Sequence, residues 1–127
     1  MSNTTVQNES LMTMLTRPDW THAITTTKRN CESLGDIYTH MLDGLNRLQR
    51  VDKDAKFVLV VCQHVSYGGM TSPHGHGVLR TRLHHREINK CFAGGFAGIN
   101  DMYDPYGWAN YIEQQAIPDC HINNIEE

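Results

Sequence analysis

The chain has 127 residues, of which 39% are hydrophobic and 20% are charged, values typical of one globular domain with a real core. It contains no run of 18 or more apolar residues, which excludes a membrane-spanning helix. The net charge of −3 argues against broad contact with phosphates, although the basic residues are clustered and leave room for a local patch.

The first residues are polar and lack the basic and apolar regions of a signal peptide. We therefore expect a flexible lead over 1–18, a single domain over 19–127 and a cytoplasmic location. The four cysteines are widely spread and form no CxxC pair, which favours separate reduced thiols over a zinc site.

The predicted elements alternate between strands and helices along the chain. Residues 21–27 (THAITTT) predict a first strand, and apolar residues at three- and four-residue spacing predict an amphipathic helix over 33–50. The members of that spacing pattern are Leu34, Ile37, Tyr38, Met41, Leu42, Leu45 and Leu48, and Tyr38 is expected at a core position of the helix. The apolar run 57–62 (FVLVVC) predicts a buried strand.

After a loop that contains Gly68, Gly69 and Pro73, residues 77–82 predict a strand that pairs back on the previous one as a hairpin. A short helix over 83–92, a glycine-rich strand over 95–101 and a last helix complete the pattern. Asp104 as N-cap and Pro105 at the first helical position begin this last helix, which should run to about residue 115. The element order predicts an α+β fold, with a central antiparallel sheet flanked by helices.

His74 and His76 are separated by one residue, so on a strand both imidazoles would point to the same face and converge on one metal ion. Gly75 and Gly77 remove bulk and allow close backbone approach. The preceding buried strand ends in two further potential ligands, Gln63 and His64. Strand alternation puts these two on opposite faces, so one of them is expected to complete the site.

The sequence gives less support for a functional role of the other histidines. His84 and His85 are expected at the surface where a helix begins, and His22 and His121 have no local support as ligands. Four basic residues are candidates for contact with nucleic acid: Lys28, Arg80, Arg82 and Lys90.

Three motifs, in this order, resemble those of the HUH endonucleases, in particular the small single-tyrosine replication initiators of rolling-circle viruses, phages and plasmids. Residues 22–27 (HAITTT) resemble the threonine-rich first strand, and 73–79 (PHGHGVL) resemble the metal-binding histidine pair. Residues 104–114 (DPYGWANYIEQ) resemble the helix that bears the nucleophilic tyrosine, which identifies Tyr111 with that residue. The resemblance implies a ferredoxin-like or RNA-recognition-like sheet.

This sequence departs from the family pattern at three places. A glycine, Gly75, stands between the histidines where a bulky hydrophobic residue is usual. Gln63 and His64 stand where the family often has an acidic third ligand. Gln114 stands where a lysine often follows the tyrosine by three residues.

The resemblance implies that Tyr111 nicks and rejoins single-stranded DNA, at an origin or hairpin, through a 5′-phosphotyrosine that initiates rolling-circle-type replication. A tyrosine phenol is a weak nucleophile at neutral pH, so a divalent ion, Mn²⁺ or Mg²⁺, would grip the scissile phosphate. Because imidazole ligands suit manganese better than magnesium, we expect greater activity with Mn²⁺. The nucleophile has rivals on the same chain, namely Tyr38, Tyr67, Tyr103 and Tyr106.

Two other classes of function remain open. One is a non-catalytic nucleic-acid-binding module on an RNA-recognition-like sheet. The other is a histidine–metal hydrolase, although neither an acid beyond the pair nor a third alternate histidine is present, since Val78, Arg80 and Thr81 occupy those positions. The chain has no room for a helicase, so a nicking role needs a separate host or viral helicase and polymerase; a homo-oligomer is compatible with the sequence.

Overall fold

The computed structural model describes residues 10–63, 65–66, 68–70 and 72–125. Within these residues the strands, in chain order, are β1 (His22–Lys28), β2 (Lys56–Cys62), β3 (Val65–Ser66), β4 (Gly69–Met70), β5 (His74–Arg80), β6 (Gly95–Asp101) and β7 (Ala116–Asn123). The helices of the same part of the chain are α1 (Leu11–Leu15), α2 (Leu34–Val51), α3 (His85–Cys91) and α4 (Pro105–Glu113). None of these helices is both long and apolar enough to cross a bilayer.

The five long strands form one antiparallel sheet in the order β6-β1-β5-β2-β7, and β3 pairs with β4 in a separate small hairpin. The elements β1, α2, β2, β5, α3 and β6 follow the β-α-β-β-α-β order of ferredoxin-like proteins. The predicted α+β fold with a central sheet flanked by helices is therefore confirmed. The hairpin pairing of β5 back onto β2 is confirmed as well.

Each face of the sheet has its own hydrophobic core. On one face, α2 and α3 cover a cluster that includes Ile24, Leu59 and Phe92. On the other face, α1 and α4 cover a cluster that includes Val60 and Val78. We call this second side, which carries the side chain of His76, the site face.

The predicted bounds of α2, β2 and β6 agree with the structure to within one residue. The strand β5 begins at His74, three residues before the predicted start, and ends at Arg80. It ends there because Thr81 turns to donate a 2.6 Å hydrogen bond to the buried carboxylate of Asp52. All four cysteines are free thiols, as expected.

Three expectations differ from the structure. Residues 11–15, expected within a flexible lead, form a helix capped by Ser10, because Met14 and Leu15 are apolar enough to be buried on the site face. The side chain of Tyr38, expected in the core, is 37% exposed, since the buried stripe of α2 is centred on Ile37 and Met41.

The third difference is β7, which the sequence did not predict because it contains Pro118 and Asp119, residues that are rare in strands. β7 is an edge strand that pairs only with β2 among the described strands, so the missing N–H of Pro118 leaves the sheet intact.

Candidate metal centre and active site

His74 and His76 lie at the start of β5, between β1 and β2. His76 is paired in register with Thr25 of β1 and with Val60 of β2, so its side chain shares the site face with theirs. The centroids of the two imidazole rings are 4.7 Å apart. The strand therefore holds both rings side by side on one face.

Gly75 and Gly77, which flank His76, let neighbouring groups approach the backbone of β5 closely. A Cβ atom on Gly77 would collide with the carbonyl oxygen of Val58, so no larger residue fits this register. A Cβ on Gly75 would lie 2.9 Å from Sδ of Met41, which packs there from α2. Met41 thus occupies, on the face opposite the imidazoles, the space that a bulky residue at position 75 would need.

The His76 ring is buried, with 4% of the residue exposed, and is held in place on one side by β1. Its Nδ1 atom lies 2.9 Å from the hydroxyl oxygen of Thr25. Histidines that bind metals usually use one ring nitrogen for the ion and give the other to an oxygen of the protein. Because Thr25 contacts Nδ1, Nε2 is the ring nitrogen of His76 that could bind a metal ion.

The ring of His74 lies between two oxygen atoms. The Ser72 carbonyl oxygen is 3.0 Å from Nδ1, and because a carbonyl only accepts, the ring proton is on Nδ1. Nε2 then carries a lone pair, and it faces Oε1 of Gln115 at 3.1 Å. The amide of Gln115 can equally present its NH2 group to this nitrogen, so Gln115 is a polar partner of His74 with or without a bound cation.

Gln115 follows the end of α4 and is almost fully buried, with 7% exposed. The resemblance to the family motif drew attention to Gln114, which is exposed, and not to Gln115. An amide oxygen beside two imidazoles is a donor set that suits a divalent ion such as Mn²⁺. Gln115 is thus a candidate third ligand that the sequence analysis missed.

Gln63 and His64 were the predicted third ligands. Gln63 directly follows β2, and its backbone N–H donates a 2.9 Å hydrogen bond to the carbonyl oxygen of Gln115. The end of β2 is therefore attached to the residue that contacts His74. Gln63 remains a predicted ligand, and His64 lies outside the described residues.

Helix α4 brings Tyr111 to the histidine pair. Its N-terminus is capped as predicted, with the Asp104 carboxylate accepting from the Gly107 N–H at 3.0 Å and Pro105 at the first turn. The Trp108 indole donates a 2.8 Å hydrogen bond to the carbonyl oxygen of Gly77, which fixes α4 over β5.

The aromatic rings of α4 lie directly on His76. The Tyr111 ring centroid is 5.3 Å from that of His76, and the Trp108 centroid is 5.2 Å from it. Trp108 and Tyr111 stack on each other, with an interplanar angle of 15°. Since Tyr111 is 46% exposed, a large substrate can reach its phenol while the ring remains against the imidazole.

The rival tyrosines lie elsewhere or have no such contact. Tyr103 and Tyr106 are 92% and 66% exposed, and neither makes a ring contact with the histidine pair in the described structure. Tyr38 is on α2, across the sheet. Tyr67 lies outside the described residues.

The predicted DNA-binding residues are dispersed around the sheet, and within the described chain none joins the histidine cluster. Arg80 is at the far end of β5, and the exposed Arg82 has its Nε atom 3.8 Å from Oδ1 of Asp52. Lys28 donates to the carbonyl oxygen of Arg29 at 3.3 Å. Lys90 is in the last turn of α3, across the sheet from Tyr111.

A groove of about 530 Å³ opens beside the site, between β6 and α4. Polar and aromatic groups line it, and they include Thr25, Asn100, Asp104 and Trp108. Its described lining contains no lysine or arginine. Such a lining suits the edge of a nucleobase better than a phosphate, because carboxylates repel phosphate oxygens.

In comparisons with known proteins, no family model, no curated protein and no solved structure matches the chain.

Proposed function

We propose that this protein is a metal-dependent endonuclease and strand transferase that nicks and joins single-stranded DNA through Tyr111. The proposal depends above all on one observation, the 5.3 Å contact between the rings of Tyr111 and His76. These residues come from separate elements, α4 and β5. A partly exposed phenol therefore lies beside the imidazole of His76, whose own neighbour is the ring of His74.

The metal ligands in this proposal are His74 and His76, together with Gln115 or Gln63. A divalent ion held there would polarise the phosphoryl oxygens and stabilise the charge that develops on them. Thr25 orients the ring of His76, and Ser72 orients the ring of His74 through its carbonyl oxygen. The donor set of nitrogens and an amide oxygen favours Mn²⁺ over Mg²⁺.

Tyr111 supplies the nucleophile. Its phenolic oxygen forms a bond to the scissile phosphorus while the bond from phosphorus to the 3′ oxygen breaks. The phenol gives up one proton, and the departing 3′ oxygen takes one up, so the products are a 5′-phosphotyrosine and a free 3′-hydroxyl. Attack by a 3′-hydroxyl on the phosphotyrosine reverses these steps and joins strands.

Single-stranded DNA suits the surroundings of Tyr111, because the bases of a single strand are unpaired and can stack on aromatic side chains. The stacked Trp108 and Tyr111 provide such a surface, and the adjoining groove takes a base edge. In a replicon, the 3′-hydroxyl would prime rolling-circle-type synthesis, with a separate helicase and polymerase acting as partners.

Incubation of the protein with a pool of single-stranded oligonucleotides and Mn²⁺, followed by denaturing electrophoresis, tests the proposal. We expect a covalent protein–DNA species that EDTA abolishes and that forms less readily with Mg²⁺. Tyr111→Phe should lose it, and Tyr106→Phe, on the same helix, should keep it. An adduct that persists in Tyr111→Phe contradicts the proposal, and DNA binding without any adduct favours the non-catalytic module.

A further inference from the structure

A second group of donor atoms lies across the sheet from Tyr111. It consists of His22 at the start of β1, His85 at the start of α3 and Asp101 at the end of β6. One donor atom from each residue lies within 4.8 Å of the other two. The Nε2 atom of His85 is 3.0 Å from Oδ1 of Asp101, and the rings of His22 and His85 are 5.2 Å apart.

Regular elements hold all three side chains. His22 and Asp101 are direct partners in the β1–β6 ladder, so their side chains project from the same face. His85 is the first residue of α3, and the helix start is fixed by Glu87, whose carboxylate accepts from the N–H of His84 at 2.9 Å. The cluster therefore follows from the fold itself.

The Thr21 hydroxyl is the hydrogen-bond partner of one ring nitrogen of His22, Nδ1. The Thr21 hydroxyl oxygen is 2.7 Å from Nδ1 of His22, 3.1 Å from the Leu79 carbonyl oxygen and 3.1 Å from the Thr81 N–H donor. A hydroxyl has one proton and two lone pairs. When the hydroxyl donates to Leu79, its lone pairs accept from Thr81 and from an N–H at Nδ1, and the lone pair of His22 is then on Nε2.

We propose that His22, His85 and Asp101 form a second metal site, which binds a divalent transition-metal ion of the zinc class. Two imidazole nitrogens and one carboxylate oxygen are a donor set that zinc accepts and that magnesium and calcium do not prefer. The ion replaces the proton between His85 and Asp101. Three protein ligands leave a fourth position for water.

The ion at this second site joins three elements at one end of the sheet. It connects β1, α3 and the edge strand β6, whose last residue, Asp101, precedes the Asp104 cap of α4 by three positions. The Thr21 hydroxyl acts as the outer partner that orients His22, as such oxygens do at metal-binding histidines.

Zinc titration of the metal-free full chain, with the bound ion counted per chain, tests the second site. We expect two ions in the wild type and one in His85→Ala or Asp101→Asn, or else an affinity at least about tenfold lower at one site. Both residues are exposed, and their variants should fold normally, as circular dichroism can verify. His84→Ala, an exposed neighbour outside the cluster, should still bind two.

The same titration in a His76→Gln background separates this site from the one at Tyr111. One zinc ion should remain in His76→Gln, and adding His85→Ala should remove it. Zinc binding that is unchanged by His85→Ala, in either background, overturns the second site. Because covalent adduct formation reports on Tyr111 alone, the two proposals can fail separately.

Discussion

The hydroxyl oxygen of Thr25 lies 2.9 Å from Nδ1 of His76, between the adjacent strands β1 and β5. The contact is set by register, because Thr25 and His76 face each other in the ladder. It holds the orientation of a buried imidazole. The threonine-rich first strand thus contacts the candidate metal centre directly.

Replacing Thr25 with valine should weaken Mn²⁺ binding by about 10- to 100-fold, because the shape is kept while the oxygen that holds His76 is lost. Thr25→Ser restores the hydroxyl and should bind nearly as well as the wild type. Metal titration of the three proteins measures the effect. Equal affinities for Thr25→Val and the wild type would show that the contact has no role in the site.

Gln115 and Gln114 provide a matched pair for testing the third ligand. Gln115→Ala should lower Mn²⁺ affinity by about 10-fold or more, because it removes the amide oxygen 3.1 Å from Nε2 of His74. Gln114→Ala changes an exposed neighbour and should have no effect. If both variants bind manganese as the wild type does, Gln63 or His64 becomes the better candidate for the third ligand.

Gly77→Ala should destabilise the fold by about 1–3 kcal/mol or more, because the new methyl group collides with backbone across the β2–β5 pair. Gly68→Ala is the control, since a Cβ there meets nothing within 4 Å. Denaturant unfolding of both variants measures the free energy of unfolding. A Gly77→Ala protein as stable as Gly68→Ala would show that β5 adopts another register.

Stability should fall as the pH drops below about 6.5, the ordinary pKa of histidine. Burial, with repulsion from Lys28 and Arg47, lowers the pKa of His40 in the folded protein, and burial lowers that of His121. The unfolded chain then binds more protons than the folded one, so acid favours unfolding. Neutral His40 makes its full contribution to the folding stability above this pH, and that contribution is lost as the pH falls below it.

His40→Gln removes one of these titrations and keeps a polar partner for Thr26, whose hydroxyl lies 3.2 Å from Nε2 of His40. Its Tm should therefore change less between about pH 7 and pH 5 than that of the wild type. Thermal melts across this range measure both slopes. Identical slopes would show that His40 titrates in the folded protein as it does in the unfolded chain.

Periodicity and composition predicted most of the fold. The spacing of Ile37, Met41, Leu45 and Leu48 identified α2, and the same residues are buried against the sheet. β7 was missed because strand propensity is a local property, whereas its pairing with β2 is a long-range one. An edge position tolerates Pro118 in a way that no local pattern reveals.

The order of motifs was enough to predict that Tyr111 and the histidine pair belong together, but the rest of the site was not readable. The family comparison directed attention to Gln114, yet the end of α4 turns Gln115 inward toward His74. No sequence motif marks the cluster of His22, His85 and Asp101, because its members come from three separate elements. The register of β1 with β6 brings His22 and Asp101 together, and the start of α3 adds His85.

Mass spectrometry of the covalent complex tests the central claim most directly. The protein is incubated with Mn²⁺ and a single-stranded oligonucleotide that it cleaves, and the adduct is digested with protease and nuclease. We predict a 5′-nucleotide phosphate on the phenolic oxygen of Tyr111, with the fragment downstream of the cut retained on the protein. A nucleotide on Tyr103, Tyr106 or any other residue, or cleavage with no covalent species, would contradict the account.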